Sequence, residues 1–257
     1  MEEAHNSTPE VANIVTLLNK YMGEVDVIRF FHHYENIVFS GVVIIILAII
    51  ARQATKNKSF FPDKMQNFVE FCVESLYEFV TGILGHHYGR EYTPFLGTLF
   101  MYIFVMNISG LIPGLKAPTS SLNTTVGLAI CVFLFVQYTG LRRLGILGYL
   151  SHLAGNPKGV MGICFIPLML PLHVLEEFIK PLSLSLRLFG NILGEDALIA
   201  AFVTLGIAAL SFMGSPVGLP FQTPFMLLAI ITGTIQALVF TMLSTIYIMS
   251  MLPHEEH

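Results

Sequence analysis

The stretch "EEFIKPLSLSLRLFGNILGED", residues 176–196, sets six ionisable side chains into a segment otherwise dominated by leucine. On an ideal helix each residue advances about 100°, so positions can be assigned relative to Arg187. Glu176 falls at about −20°, Lys180 at +20°, Ser183 at −40°, and His173 and Asn191 at +40°. Glu177 and Glu195 fall at about 80°, and Asp196 points to the opposite side. A charge at mid-bilayer costs roughly 2.5–3.5 kcal/mol on insertion scales, so this stripe must face protein, water or a partner of opposite charge. Glu176 or Glu177 can neutralise Lys180 from three or four residues away. Glu195, eight residues from Arg187, lies about 12 Å along the axis and pairs with it poorly.

The residue types indicate what the stripe can do. A guanidinium stays protonated where a buried ammonium can lose its charge. Fixed in an apolar wall, it attracts a mobile carboxylate, favours that group's ionised form and blocks free cations. Flanking Glu, Asp, His, Asn and Ser can line wet paths on either side. Those are the parts of a proton-transfer device. The last apolar segment adds Gln236 at depth, on one side with Thr232, Gly233, Ser244 and Tyr247; an amide there also serves as plain helix-to-helix glue.

The elements that carry these groups are membrane-spanning. The chain of 257 residues is 54% hydrophobic and 12% charged, with mean hydropathy +0.71, against about 25% charged in ordinary soluble domains. A net charge of −4 argues against a nucleic-acid partner. Cys72, Cys131 and Cys164 lie in apolar runs without a CxxC pair and read as small buried hydrophobes. No cofactor or metal is implied. No GxxxxGK[ST] loop occurs, so this chain is expected to bind no nucleotide and to do no catalytic chemistry of its own.

The fold class expected is all-α and integral to the membrane. A polar segment, 1–33, precedes one transmembrane domain, 34–257. Its spans are about 35–53, 93–113, 122–141, 172–212 and 225–252. Residues 63–84 form an amphipathic surface helix capped by Asp63, with Met65, Phe68, Val69, Cys72, Val73, Leu76, Val80 and Ile83 on one face and Glu70, Glu74 and Glu78 on another. A helix over 172–212 would run about 60 Å against a hydrocarbon core of about 30 Å, so the last two helices must slant as an antiparallel hairpin. Arg52, Lys56, Lys58, Lys64 and Arg90, then Arg142, Arg143 and Lys158, mark the cytoplasmic side; the N-terminus is expected outside and the C-terminus inside.

With "PLSLSLRLFGNILGED", "EEFIKPLSLSLR", "TIQALVFTMLSTIYI", "MNISGLIPG" at 106–114 and "PTSSLNTT" at 118–125, the chain resembles subunit a of the F-type ATP synthase membrane sector. The match covers about residues 35–252. The resemblance implies a stator in the bacterial plasma membrane, packed against a rotating ring of c subunits and held by peripheral-stalk subunit b, for which the 63–84 helix is the expected dock. It implies that Arg187 engages ring carboxylates between two half-channels and that Gln236 sits beside it. It also implies roles for Asn191, for Asn107 and for Asp196, nine positions after the arginine; Glu195 is the rival acid by the helical stripe. Ser121, Gly110 and Ala229 stand where some relatives have Asp, Asp and His, which leaves His173, Glu176 and Glu177 to supply part of the outer half-channel's polarity. A self-contained proton-coupled transporter is the alternative, although the internal repeats typical of that class are not evident. A scaffold protein without transport would not need Arg187.

Overall fold

In the computed structural model, residues 34–56, 64–112, 114–155, 159–211 and 219–252 are described. The polar segment 1–33, the Asp63 cap, Lys158 and the C-terminal "HEEH" lie outside them. The described chain is all helical: α1 (Glu35–Lys56), α2 (Lys64–Ser109), a short turn of 3₁₀ helix (Pro118–Ser120), α3 (Leu122–Leu153), α4 (Gly159–Ser211) and α5 (Thr223–Ser250). All five long helices are long and apolar enough to cross a membrane.

Two of them are sharply bent, each at a glycine. Gly85 has φ 76° and ψ 163°, and Gly145 has φ 70° and ψ 170°. This corner of backbone space is essentially closed to residues with a Cβ. The amphipathic segment and the second span are therefore limbs of one element, joined by a corner rather than by a loop over 85–92. The limbs approach closely. A methyl group built on Gly89 would lie 2.3 Å from Cγ2 of Thr81, and one on Gly140 would lie 3.2 Å from Cδ2 of Tyr149. Along a continuous straight helix these partners would be about 12 Å apart or more. The Gly145 bend turns residues 146–153 back along their own helix.

α4 begins at Gly159, well before the expected start at Leu172, and runs through Pro167, Pro171 and Pro181. Prolines leave helical carbonyls without their usual partners, yet transmembrane helices tolerate them because neighbours re-satisfy the backbone. α4 and α5 pack antiparallel in one register. Phe202 stacks on Phe225 with centroids 3.9 Å apart, Glu195 meets Thr232, and Lys180 lies 5.5 Å from the centroid of Tyr247. That register puts Gln236 level with Asn191, and Arg187 level with Phe240.

The core lies among α2, α3, α4 and α5, with Leu96, Ile103, Met106, Val132, Leu188, Phe240 and Ile248 at 2% exposure or less. α1 stands to one side. With the apolar face of 64–84 it lines a cavity of about 930 Å³ that includes Ile44, Leu47, Val69, Cys72 and Leu76. Lys116 closes the far end of α1 with a 2.8 Å ion pair to Glu35. The cysteines depart from expectation. Cys131 is exposed on the outer surface of α3, and Cys72 is half-buried in the wall of the cavity beside α1.

Replacing Gly145 by valine forces a branched side chain into this conformation. The expected loss is about 1–3 kcal/mol of stability, together with the contact between Tyr149 and α3. Thermal unfolding in detergent measures the first, and a Tyr149→Phe change that costs stability in the parent but not in the valine variant reports the second.

Candidate functional site

The polar groups of α4 fall into three environments along its length. Nearest its start, His173 Nδ1 lies 3.1 Å from the carbonyl oxygen of Leu153, tying α4 to the end of α3. Next comes a partly buried network around Glu177. Gln137 Nε2 donates to Glu177 Oε2 at 2.7 Å, and the Lys180 ammonium donates to Glu177 Oε1 at 2.5 Å. Tyr149 donates its hydroxyl hydrogen to Gln137 Oε1, which fixes the orientation of the amide. Glu176 stands 3.7 Å from Lys180 Nζ, but its side chain is 58% exposed against 9% for Glu177. Adjacent helical residues differ by about 100°, so the two glutamates cannot share a face.

The third environment lies beyond Arg187. Asn191 Nδ2 donates to Glu195 Oε1 at 2.8 Å, and Glu195 also meets the Thr232 hydroxyl on α5. Asp196 is half-buried on another side of α4. Gln236 is buried at 7% exposure and makes no hydrogen bond among the described residues. Asn107 is engaged at both ends of its amide: its Nδ2 donates to the Gly233 carbonyl at 3.1 Å, and its Oδ1 accepts from Thr119 at 2.9 Å. It ties α2 to α5 and to the 3₁₀ turn.

Arg187 differs from all of these. It lies on the exposed face of α4 and makes no hydrogen bond or ion pair among the described residues. Leu184, Ser185, Leu188 and Ile192 turn inward from the same segment. The open face carries Ser183, Gly190 and Gly194, and a methyl group built on either glycine would meet nothing within 4 Å.

His173, Glu176 and Glu177 lie on the opposite side of Arg187 from Glu195, with His173 and Glu177 bonded to α3. Arg187 and its apolar neighbours stand between the two groups. Gln137 and Tyr149 were not candidates from the sequence. Gln137, an amide inside "CVFLFVQYTGL", carries a visible signal; Tyr149 carries none, since only the bend at Gly145 brings it near. Beside the same bend Arg143 forms an ion pair with Glu91 and lies over the Tyr88 ring, 5.5 Å from its centroid, joining α3 to α2.

Five helices long and apolar enough to cross a membrane define a polytopic membrane protein, in which α4 carries an outward-facing guanidinium between two polar clusters. Residues 36–249 match the family described as ATP synthase A chain. ATP synthase subunit a of Protochlamydia amoebophila is 44% identical over 248 residues, covering 96% of this chain and 91% of that protein. Subunit a of Moorella thermoacetica is 39% identical over 84% of this chain and 89% of its own length, and that of Aliarcobacter butzleri 36% identical over 88% and 94%. The chain belongs to the ATP synthase A chain family.

Replacing Asn107 by leucine removes both buried hydrogen bonds and leaves the Thr119 hydroxyl unsatisfied. The expected cost is about 1–3 kcal/mol. Chemical denaturation in detergent micelles should show it as a lowered midpoint with an unchanged slope.

Proposed function

We propose that this chain is the stator of the proton path in an F-type ATP synthase and that Arg187 separates two aqueous half-channels. Protons enter by one half-channel and neutralise a carboxylate on a passing c subunit, which can then turn through lipid. On its return the carboxylate meets Arg187, whose fixed charge favours ionisation, and the proton leaves by the other half-channel. The turning ring couples this flow to ATP synthesis in partner subunits. Asn191, Glu195, Asp196 and Gln236 line one half-channel, and the region of Glu176 the other. The observation that carries this reading is the position of Arg187: charged, outward-facing and unpaired among the described residues. A fixed charge in that position calls for a partner from outside the chain. Ser183, Gly190 and Gly194 keep the surrounding surface low, which lets another helix pass close by.

The self-contained transporter would bring its own carboxylate to Arg187, and among the described residues none lies within ion-pair distance. On the distribution of Lys and Arg, the N-terminus is outside and the C-terminus in the cytoplasm of a bacterium. The limb 64–84, with Glu70, Glu74 and Glu78 exposed, is the dock for stalk subunit b. Nucleotide chemistry belongs to other subunits.

Arg187→Ala is expected to abolish ATP-driven proton pumping in vesicles carrying the assembled complex, and normal coupling in that variant would sink the proposal. Arg187→Lys should also impair pumping, by about tenfold or more, because a desolvated ammonium can shed its proton.

A further inference from the structure

We propose that the adjacent acids Glu176 and Glu177 have opposite duties: Glu177 is the standing counter-ion of Lys180, and Glu176 is the acid that exchanges protons on that side of Arg187. This division rests on the proton-path reading above and deepens it.

The geometry supports the division from both sides. Both Glu177 oxygens are engaged, one by the Lys180 ammonium and one by the Gln137 amide. The amide cannot flip to present its oxygen, because Tyr149 already donates to Oε1. The groups around Lys180 are Glu177, Glu176 and the face of Tyr247, so Glu177 supplies the one buried negative charge beside it. Protonating Glu177 would strand a cation in a site with little water, a costly step. Glu176 carries no such burden. Its carboxylate is mostly exposed, lies about 20° from Arg187 around the helix, and sits about 16 Å from it along the axis. It can accept a proton relayed by water from a ring carboxylic acid and pass that proton to bulk water, returning to carboxylate. Lys180 remains neutralised by Glu177 throughout.

Gln137 is a positioning residue in this scheme, since it holds Glu177 against Lys180 without touching the moving proton. The scheme also predicts an epistatic pattern that simple loss of packing would not give. With Glu177 neutralised, Lys180 turns to Glu176 and holds it ionised. Removing the lysine as well releases Glu176.

The experiment measures passive proton conductance of membrane vesicles after the nucleotide-binding sector is released, with ring co-purification checking assembly. Glu176→Gln should lower conductance by about tenfold or more with normal assembly. Glu177→Gln should also lower it, and Glu177→Gln with Lys180→Met should recover to within about twofold of the parent. Glu176→Gln with Lys180→Met should stay low. If Glu177→Gln alone fails to accumulate, the two double variants decide: the proposal requires the Glu177 pair to conduct and the Glu176 pair not to. Parental conductance in Glu176→Gln, or an assembled Glu177 pair that stays silent, overturns it. Arg187→Ala, assayed for ATP-driven pumping in vesicles that still carry the nucleotide-binding sector, separates the levels. Should it remain coupled, the stator reading falls; should it uncouple while Glu176→Gln conducts normally, only the division of duties falls.

Discussion

A permanent positive charge on the outward side of a helix is the constraint around which the other features are arranged. Arg187 cannot discharge itself, and its own chain offers it no counter-ion among the described residues. The other ionisable side chains described on α4 have partners. Lys180 has Glu177 and Glu176, Glu195 has Asn191 and Thr232, and His173 has the end of α3. The contrast gives the arginine its meaning. On the proposed reading, the group that neutralises Arg187 comes from outside the chain.

Packing serves that arrangement. The interior of the bundle is closed by Leu96, Ile103, Leu188 and Phe240, while Arg187 stays on the outer face of α4. Small residues beside it keep the approach open, while Asn107 and the aromatic stack of Phe202 on Phe225 hold α5 against its neighbours. The stability of the bundle and the exposure of the charge are thus two results of the same inward-facing stripe.

How much of this can be read from the sequence depends on range. The stripe on α4 follows from helical periodicity alone, as do the pairing of Lys180 with Glu176 or Glu177 and the long antiparallel hairpin. Gln236 and Asn107 stand out because amides are rare in such apolar surroundings. The corners at Gly85 and Gly145 are not legible, since glycines occur throughout the chain and composition does not tell which of them adopts a positive φ. Contacts that depend on those corners are hidden with them: Tyr149 lies twelve residues from Gln137 in sequence and reaches it only because the helix doubles back. The placement of Cys131 misleads for another reason. In a membrane protein an apolar residue has two good places to go, and hydropathy does not distinguish the core from the lipid.

The shared register of α4 and α5 has a consequence for how ions can cross. Glu176 and Glu195 are nineteen residues apart on one rigid rod, a rise of about 28 Å, close to the whole hydrocarbon thickness of about 30 Å. Two water-filled pits with these acids at their mouths would almost span the barrier between them, yet they end on either side of a guanidinium that repels any free cation. On the proposed reading the gap is therefore closed sideways. The hairpin behaves as a turnstile post, and the ion gets past only by boarding a carrier at one depth and leaving it at another.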